Sequence, residues 1–198
     1  MSSPALDTAQ LAATPAQTEV EALVQRARAG ERKAQHQLYQ RYNAAMYNIA
    51  LRMVNDPDQA HDVLQEAFVN AFRYLEGFKG DATFGAWLKR IVVNTALHHQ
   101  KKKRLNVVPL EDYHANRTVD DSPQPGVADD EQSYTVQRVR AAVAQLPEGY
   151  RNVLTLYLFE GYDHEEVAGI LGISEGTSKS QYNRAKAKLK QLLEGQLP

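Results

Sequence analysis

Between Thr177 and Lys190 the chain carries hydroxyls, amides and cations at helical spacing, and no acid: the stretch reads TSKSQYNRAKAKLK. On a helix, Thr177, Ser180, Asn183, Arg184 and Gln191 share one side. These side chains are small or hydrogen-bonding, so that ridge is slim enough to enter a major groove and pair with base edges. Lys179, Lys186, Lys188 and Lys190 flank it, where phosphates would lie. A second basic block, Lys89 to Arg104, contains Lys89, Arg90, Lys101, Lys102, Lys103 and Arg104, again without an acid. The intervening stretch from Glu111 to Glu131 is acidic, which brings the net charge of the whole chain to −1. Two basic blocks separated by an acidic one predict two contacts with a polyanion. A merely solvated amphipathic helix would intersperse acids as i,i+4 partners, and near Lys179 the acid is Glu175 in the first turn.

The same residues exclude much other chemistry. The chain has no Cys, which removes disulfides, thiolate metal sites and cysteine catalysis. His36, His61, His98, His99, His114 and His164 are scattered or adjacent, with no zinc-protease spacing, and are expected at the surface. There is no phosphate-cradling glycine loop, nucleophile elbow or supported acid pair. No catalytic residue, metal or cofactor is therefore expected, nor a small-molecule substrate. No apolar run approaches the roughly 20 residues of a membrane span, so no membrane insertion is expected. The N-terminal stretch MSSPALDTAQLAATPAQT has no basic leader and reads as a disordered tail over 1–18 rather than a signal peptide; a cytoplasmic location is the expectation.

The elements that position these residues are helices. Leu38, Tyr42, Ala45, Ile49 and Met53 make one apolar face, stopped by Asn55-Asp56-Pro57. A helix starting at Asp58 or a near neighbour runs to about Leu75, a loop follows over 76–81, and Thr83 to Lys103 is helical again. From Leu105 to about Ser133, prolines and acids replace any periodicity, which predicts a mobile linker. An all-α chain results, with a helical domain over 19–104 and a four-helix domain over 134–195. In the latter, Val136, Val139, Val143 and Leu146 form a stripe, Pro147 opens the next helix, and Gly161 closes it. Asp163 caps a third helix with Glu166 as its capping-box partner. Ala168 and Gly172 provide the small crossing residue and the sharp backbone reversal of a helix-turn-helix. Ser174 caps the fourth helix, whose inner side is Ser178, Tyr182, Ala185, Leu189 and Leu192.

Two blocks now carry a resemblance. LPEGYRNVLTLYLFEGYDHEEVAGILGISEGTSKSQYNRAKAKL (146–189) and DVLQEAFVNAFRYLEGFKGDATFGAWLKRIVVNTALHH (62–99) resemble, in order, the two domains of bacterial sigma factors of the extracytoplasmic-function group. The resemblance implies a non-catalytic subunit that binds core RNA polymerase and promoter DNA and is held by an anti-sigma factor. It implies that Asp62, Gln65, Glu66, Val69, Asn70 and Arg73 dock on the polymerase clamp. It places Phe78, Phe84, Trp87, Arg90 and Asn94 at the minus-ten element, where DNA is melted. Phe78 is the loop aromatic best suited to stack on a flipped base, and Phe84 and Trp87 are expected largely in the core. Lys101, Lys102, Lys103 and Arg104 would hold nearby phosphates. Thr177, Lys179, Ser180, Asn183, Arg184 and Lys188 fall on the surface that reads the minus-thirty-five element. The family often has an aliphatic residue where Ser178 stands, so the packing beneath the start of this helix is expected to weaken unless Tyr182 fills it.

Competing readings are a stand-alone helix-turn-helix regulator, which leaves 62–99 unexplained, a scaffold or anti-regulator that binds no DNA, and a hydrolase without a visible constellation.

Overall fold

The computed structural model describes residues 15–106 and 130–194. The expected tail up to residue 14 and the expected linker over 107–129 lie outside the described residues. Eight α-helices follow in order: α1 Pro15–Arg28, α2 Arg32–Val54, α3 Pro57–Arg73, α4 Phe84–Asn106, α5 Asp130–Ala144, α6 Glu148–Leu154, α7 His164–Leu171 and α8 Glu175–Glu194. A 3-10 turn, Leu75–Gly77, follows α3, and a π-helical turn, Thr155–Phe159, extends α6. No strand occurs among the described residues. The all-α expectation holds. Helix α1 begins at Pro15, so residues 15–18 belong to a helix rather than a tail, and helix also takes 105–106 and 130–133 from the expected linker.

Local chemistry explains the boundaries. Asn55 ends α2 in the left-handed region, φ 55°, with its N–H on Leu51 O. Asp56 caps α3, accepting from the Asp58 and Gln59 N–H groups, with Pro57 as first helical residue, where its missing N–H costs nothing. Asp163 and Glu166 close the expected capping box on α7. Gly172 ends α7 at φ 66°, and both its N–H and that of Ile173 reach Ala168 O.

Helices α1 to α4 pack around Leu38, Met53, Val63, Leu88, Val92 and Val93, all fully or nearly fully buried. Helices α5 to α8 form the second bundle. The two are docked: Val153, Leu156 and Val167 join the first bundle's core. The seam also holds polar groups. Gln100 and Asn152 exchange amide hydrogen bonds at 2.8 and 3.1 Å, and Gln100 Nε2 also donates to Met53 O at 2.7 Å. Arg151 donates to Met53 O from α6 and to Leu146 O, thereby satisfying carbonyls from both bundles. Burial pushes the Arg151 guanidinium down from its ordinary value, with Glu148 opposing that shift.

Candidate nucleic-acid interface

Helix α8 presents the ridge that its sequence predicts. Ser178 and Ala185 are fully buried, and Tyr182, Leu189 and Leu192 are half-buried against the second bundle. Thr177, Ser180, Asn183, Arg184 and Gln191 are exposed on the other side. Ser174 Oγ accepts from the Thr177 N–H at 3.1 Å and bonds the Thr177 hydroxyl at 2.8 Å. Ser180 donates to Gly176 O at 2.8 Å, which leaves its oxygen able to accept from a base edge. Lys179 pairs with Glu175 at 2.7 Å, and that carboxylate raises its pKa. Lys190 faces Glu194 at 3.6 Å and Lys186 lies over the Tyr182 ring at 5.8 Å. Lys188 is exposed. The ridge thus stands clear of protein, with cations along its margins.

One feature here escaped sequence reasoning. His164, expected at the surface, is half-buried: its Nδ1 lies 2.9 Å from Ser178 Oγ and its ring stacks on Tyr157 at 4.2 Å. The position expected to weaken the packing carries a hydrogen bond instead, and Tyr182 closes the cluster from 5.7 Å. Side-chain contacts across 14 residues leave no periodic signal, so only the polar type of both residues hinted at it.

In the first bundle, Phe78, Phe84 and Trp87 form an aromatic triad with centroids 5.3 to 5.9 Å apart. Phe84 is core, as expected, and Trp87 is half-buried. Phe78, which sequence reasoning places open on the loop for stacking, is 8% exposed. Its backbone explains this: Arg28 of α1 donates to Leu75 O and Phe78 O and lies over the Phe78 ring, drawing the loop inward. Arg90 and Asn94 are exposed one helical turn apart on α4, and Lys101, Lys102, Lys103 and Arg104 are exposed at its end.

Docking engages part of this basic surface. Lys89 donates to Glu160 O at 2.7 Å, faces its carboxylate at 3.9 Å and lies over the Tyr162 ring at 4.8 Å. The Glu160 carboxylate, 7% exposed, also accepts from Arg52 at 2.5 Å. Arg104 pairs with Glu148.

Helix α3 carries a third surface. Asp62, Gln65, Glu66, Val69 and Arg73 are exposed and Asn70 is half-exposed, opposite the buried Leu64, Phe68 and Ala71. Val69 is 54% exposed among these polar side chains, and Tyr74, which caps the C-terminal end of α3, is 62% exposed. His99 Nε2 lies 2.8 Å from Glu66 and holds that carboxylate in place.

Comparison with known proteins joins these surfaces. The family described as sigma-70 region 2 matches residues 38–105, and that described as sigma-70, region 4 matches 136–189. The RNA polymerase sigma-H factor of Pseudomonas aeruginosa is 34% identical over 182 residues, covering 87% of this chain and 92% of the relative. The ECF RNA polymerase sigma-E factor of Escherichia coli is 31% identical over 173 residues, covering 83% and 88%. Among solved structures, CnrH in complex with the cytosolic domain of CnrY superposes with a TM-score of 0.55 at 26% identity, covering 90% of this chain and 99% of that one. The sigma factor RpoE of Bartonella quintana, in complex with the anti-sigma factor NepR, gives 0.56 at 23% identity, covering 82% and 98%, and supports the fold alone. The chain belongs to the extracytoplasmic-function group of RNA polymerase sigma factors.

Proposed function

We propose a division of labour among three surfaces. The exposed face of α3, with Asp62, Gln65, Glu66, Val69, Asn70 and Arg73, docks on core RNA polymerase. Helix α4 and the loop before it read and open the minus-ten element. Arg90 and Asn94 reach exposed base edges there, 101–104 hold phosphates, and Phe78 becomes available for stacking once Arg28 releases its loop. Helix α8 reads the minus-thirty-five element in the major groove through Thr177, Ser180, Asn183 and Arg184, with Lys179 and Lys188 on phosphates. In these terms the region 2 domain spans 19–104 and the region 4 domain 134–195.

The chain supplies no catalytic group of its own and acts in the cytoplasm as a specificity subunit. No helix among the described residues is long and apolar enough to cross a membrane, which is consistent with that placement. The solved relatives CnrH and RpoE are bound to CnrY and to an anti-sigma factor. By analogy, this chain is held inactive by an anti-sigma protein that covers the same faces. The observation that carries the reading is the unobstructed outer ridge of α8 on a helix-turn-helix whose inner ridge is buried.

The test is transcription from genomic fragments by purified core polymerase, with and without the chain. Discrete starts that need the chain, sharing two upstream elements, are expected. Failure to co-elute with core or direct starts, while a control sigma works on the same core, refutes it.

A further inference from the structure

We propose that His164 is a positioning residue for promoter reading: its hydrogen bond to Ser178 sets the rotation and rise of α8 at the end that meets the minus-thirty-five element. This rests on the promoter-reading role of α8 proposed above.

Ser178 is fully buried and sits between Thr177 and Lys179 in the first turn of α8. Its backbone N–H is satisfied by Ser174 O at 3.0 Å. Its hydroxyl meets His164 Nδ1 at 2.9 Å. His164 is the first residue of α7 and directly follows the Asp163 cap. Its ring is fixed by stacking on Tyr157 at 4.2 Å with 13° between planes, and by the Tyr182 edge. Tyr157 and Tyr182 contact each other at 4.6 Å. The imidazole is therefore held on the π-helical turn and on both helices of the helix-turn-helix at once.

An apolar contact at this place would tolerate sliding, because dispersion has no preferred direction. A hydrogen bond weakens steeply away from linearity, so it resists rotation of α8 about its axis. The ridge residues read base edges by the same directional chemistry. A small turn of α8 would carry Thr177, Ser180 and Arg184 away from their partners together, while the lysines, as mobile point charges, would still reach phosphates. The predicted signature is lost sequence discrimination with retained general DNA affinity.

The experiment uses the full chain and two short duplexes. One carries the upstream element aligned from the starts the chain directs, and the other carries a scrambled upstream element. His164→Phe keeps the stack but removes Nδ1. His164→Asn keeps an amide near the Nδ1 position and loses the stack. His164→Phe with Ser178→Ala removes both ends of the bond and leaves no unpaired hydroxyl. His164→Phe and the double variant are each expected to lose discrimination by roughly tenfold, with scrambled-duplex affinity unchanged. The double variant is expected to regain the melting temperature that His164→Phe loses, and His164→Asn to keep most of the discrimination.

Recovery of discrimination together with melting temperature in the double variant would overturn the proposal, because the pair would then serve stability alone. Unchanged discrimination in His164→Phe, or equal loss on both duplexes, would overturn it too. If the parent chain does not discriminate while core binding persists, the promoter-reading role of α8 fails, and the inference falls with it.

Discussion

The docked seam makes a quantitative prediction at Asn152. Its amide donates to Gln100 Oε1 at 2.8 Å and accepts from Gln100 Nε2 at 3.1 Å, with the two residues 3% and 4% exposed. Asn152→Ala removes both bonds. Gln100 Nε2 keeps Met53 O at 2.7 Å, but Gln100 Oε1 loses the Asn152 donor inside a buried seam. One buried acceptor left unpaired costs about 1–3 kcal/mol. A middle value of about 2 kcal/mol shifts the balance between docked and undocked bundles by about 30-fold. Gln100→Ala strips the same pair from the other side, so the two substitutions should not add; their cycle should show a coupling of about 1 kcal/mol or more. The chain has no native Cys, so Gln37→Cys and Glu165→Cys can carry a dye pair, one dye on each bundle. Energy transfer followed through a shallow urea series gives the undocking midpoint, and circular dichroism checks that both bundles remain helical. An unmoved midpoint in Asn152→Ala, or strict additivity in the double variant, would refute the assignment of this pair as a lock.

Other outcomes follow from the same geometry. Glu160→Gln leaves Arg52 and Lys89 without their shared carboxylate and should favour undocking by about 1–3 kcal/mol, seen as a rise in the dye separation. Burial alone would raise the Asp56 carboxyl, but hydrogen bonds from Gln59, the Lys103 charge and the Asp58 N–H hold it below the usual carboxylate range. Asp56→Ala should therefore cost about 1 kcal/mol of stability at neutral pH. Because the folded value is depressed, the parent's advantage is complete above the unfolded value of about 3.9. It should vanish as the pH falls through the lower folded value, which thermal melts of both proteins into acid would track. Arg184→Ala should lose roughly 1–3 kcal/mol of upstream-element preference if it pairs bidentately with a base, measured by competition between promoter variants. Asn94→Ala should impair opening at the minus-ten element, read by permanganate reactivity, while co-elution with core polymerase is unchanged; equal loss in both would indicate misfolding.

Local signals account for what was legible in the sequence. The Asp163 and Glu166 box, the left-handed Gly172 and the Ser174 cap are each written within a few residues, and all three stand where expected. The inward and outward ridges of α8 and of α3 follow from spacing alone. Helix α3 starts at Pro57, the near neighbour of Asp58 that the sequence allowed, with Asp56 as its cap. What was not legible is long-range. Gln100 and Arg151 look like solvated residues until the fold places Met53 O and Asn152 beside them. Nothing near Phe78 announces Arg28, 50 residues earlier, closing over its loop. His164 needed three separate elements to become a half-buried link.

The docked arrangement also has a consequence for length. Elements named minus-ten and minus-thirty-five lie about 25 base pairs apart, which at about 3.4 Å per step is about 85 Å of duplex. A compact chain of this size has a radius of gyration of about 16 Å and is about 40 Å across. On the proposed reading, the docked chain is a ruler too short for its own promoter and can register on one element at a time. Bivalent binding raises apparent affinity only when both sites can be engaged together. The amide exchange at Gln100 and Asn152, with the Glu160 contacts beside it, therefore acts as a threshold on avidity. Isolated half-sites, which are frequent in any genome, cannot recruit the second bundle, and whatever separates the bundles grants access to the full site.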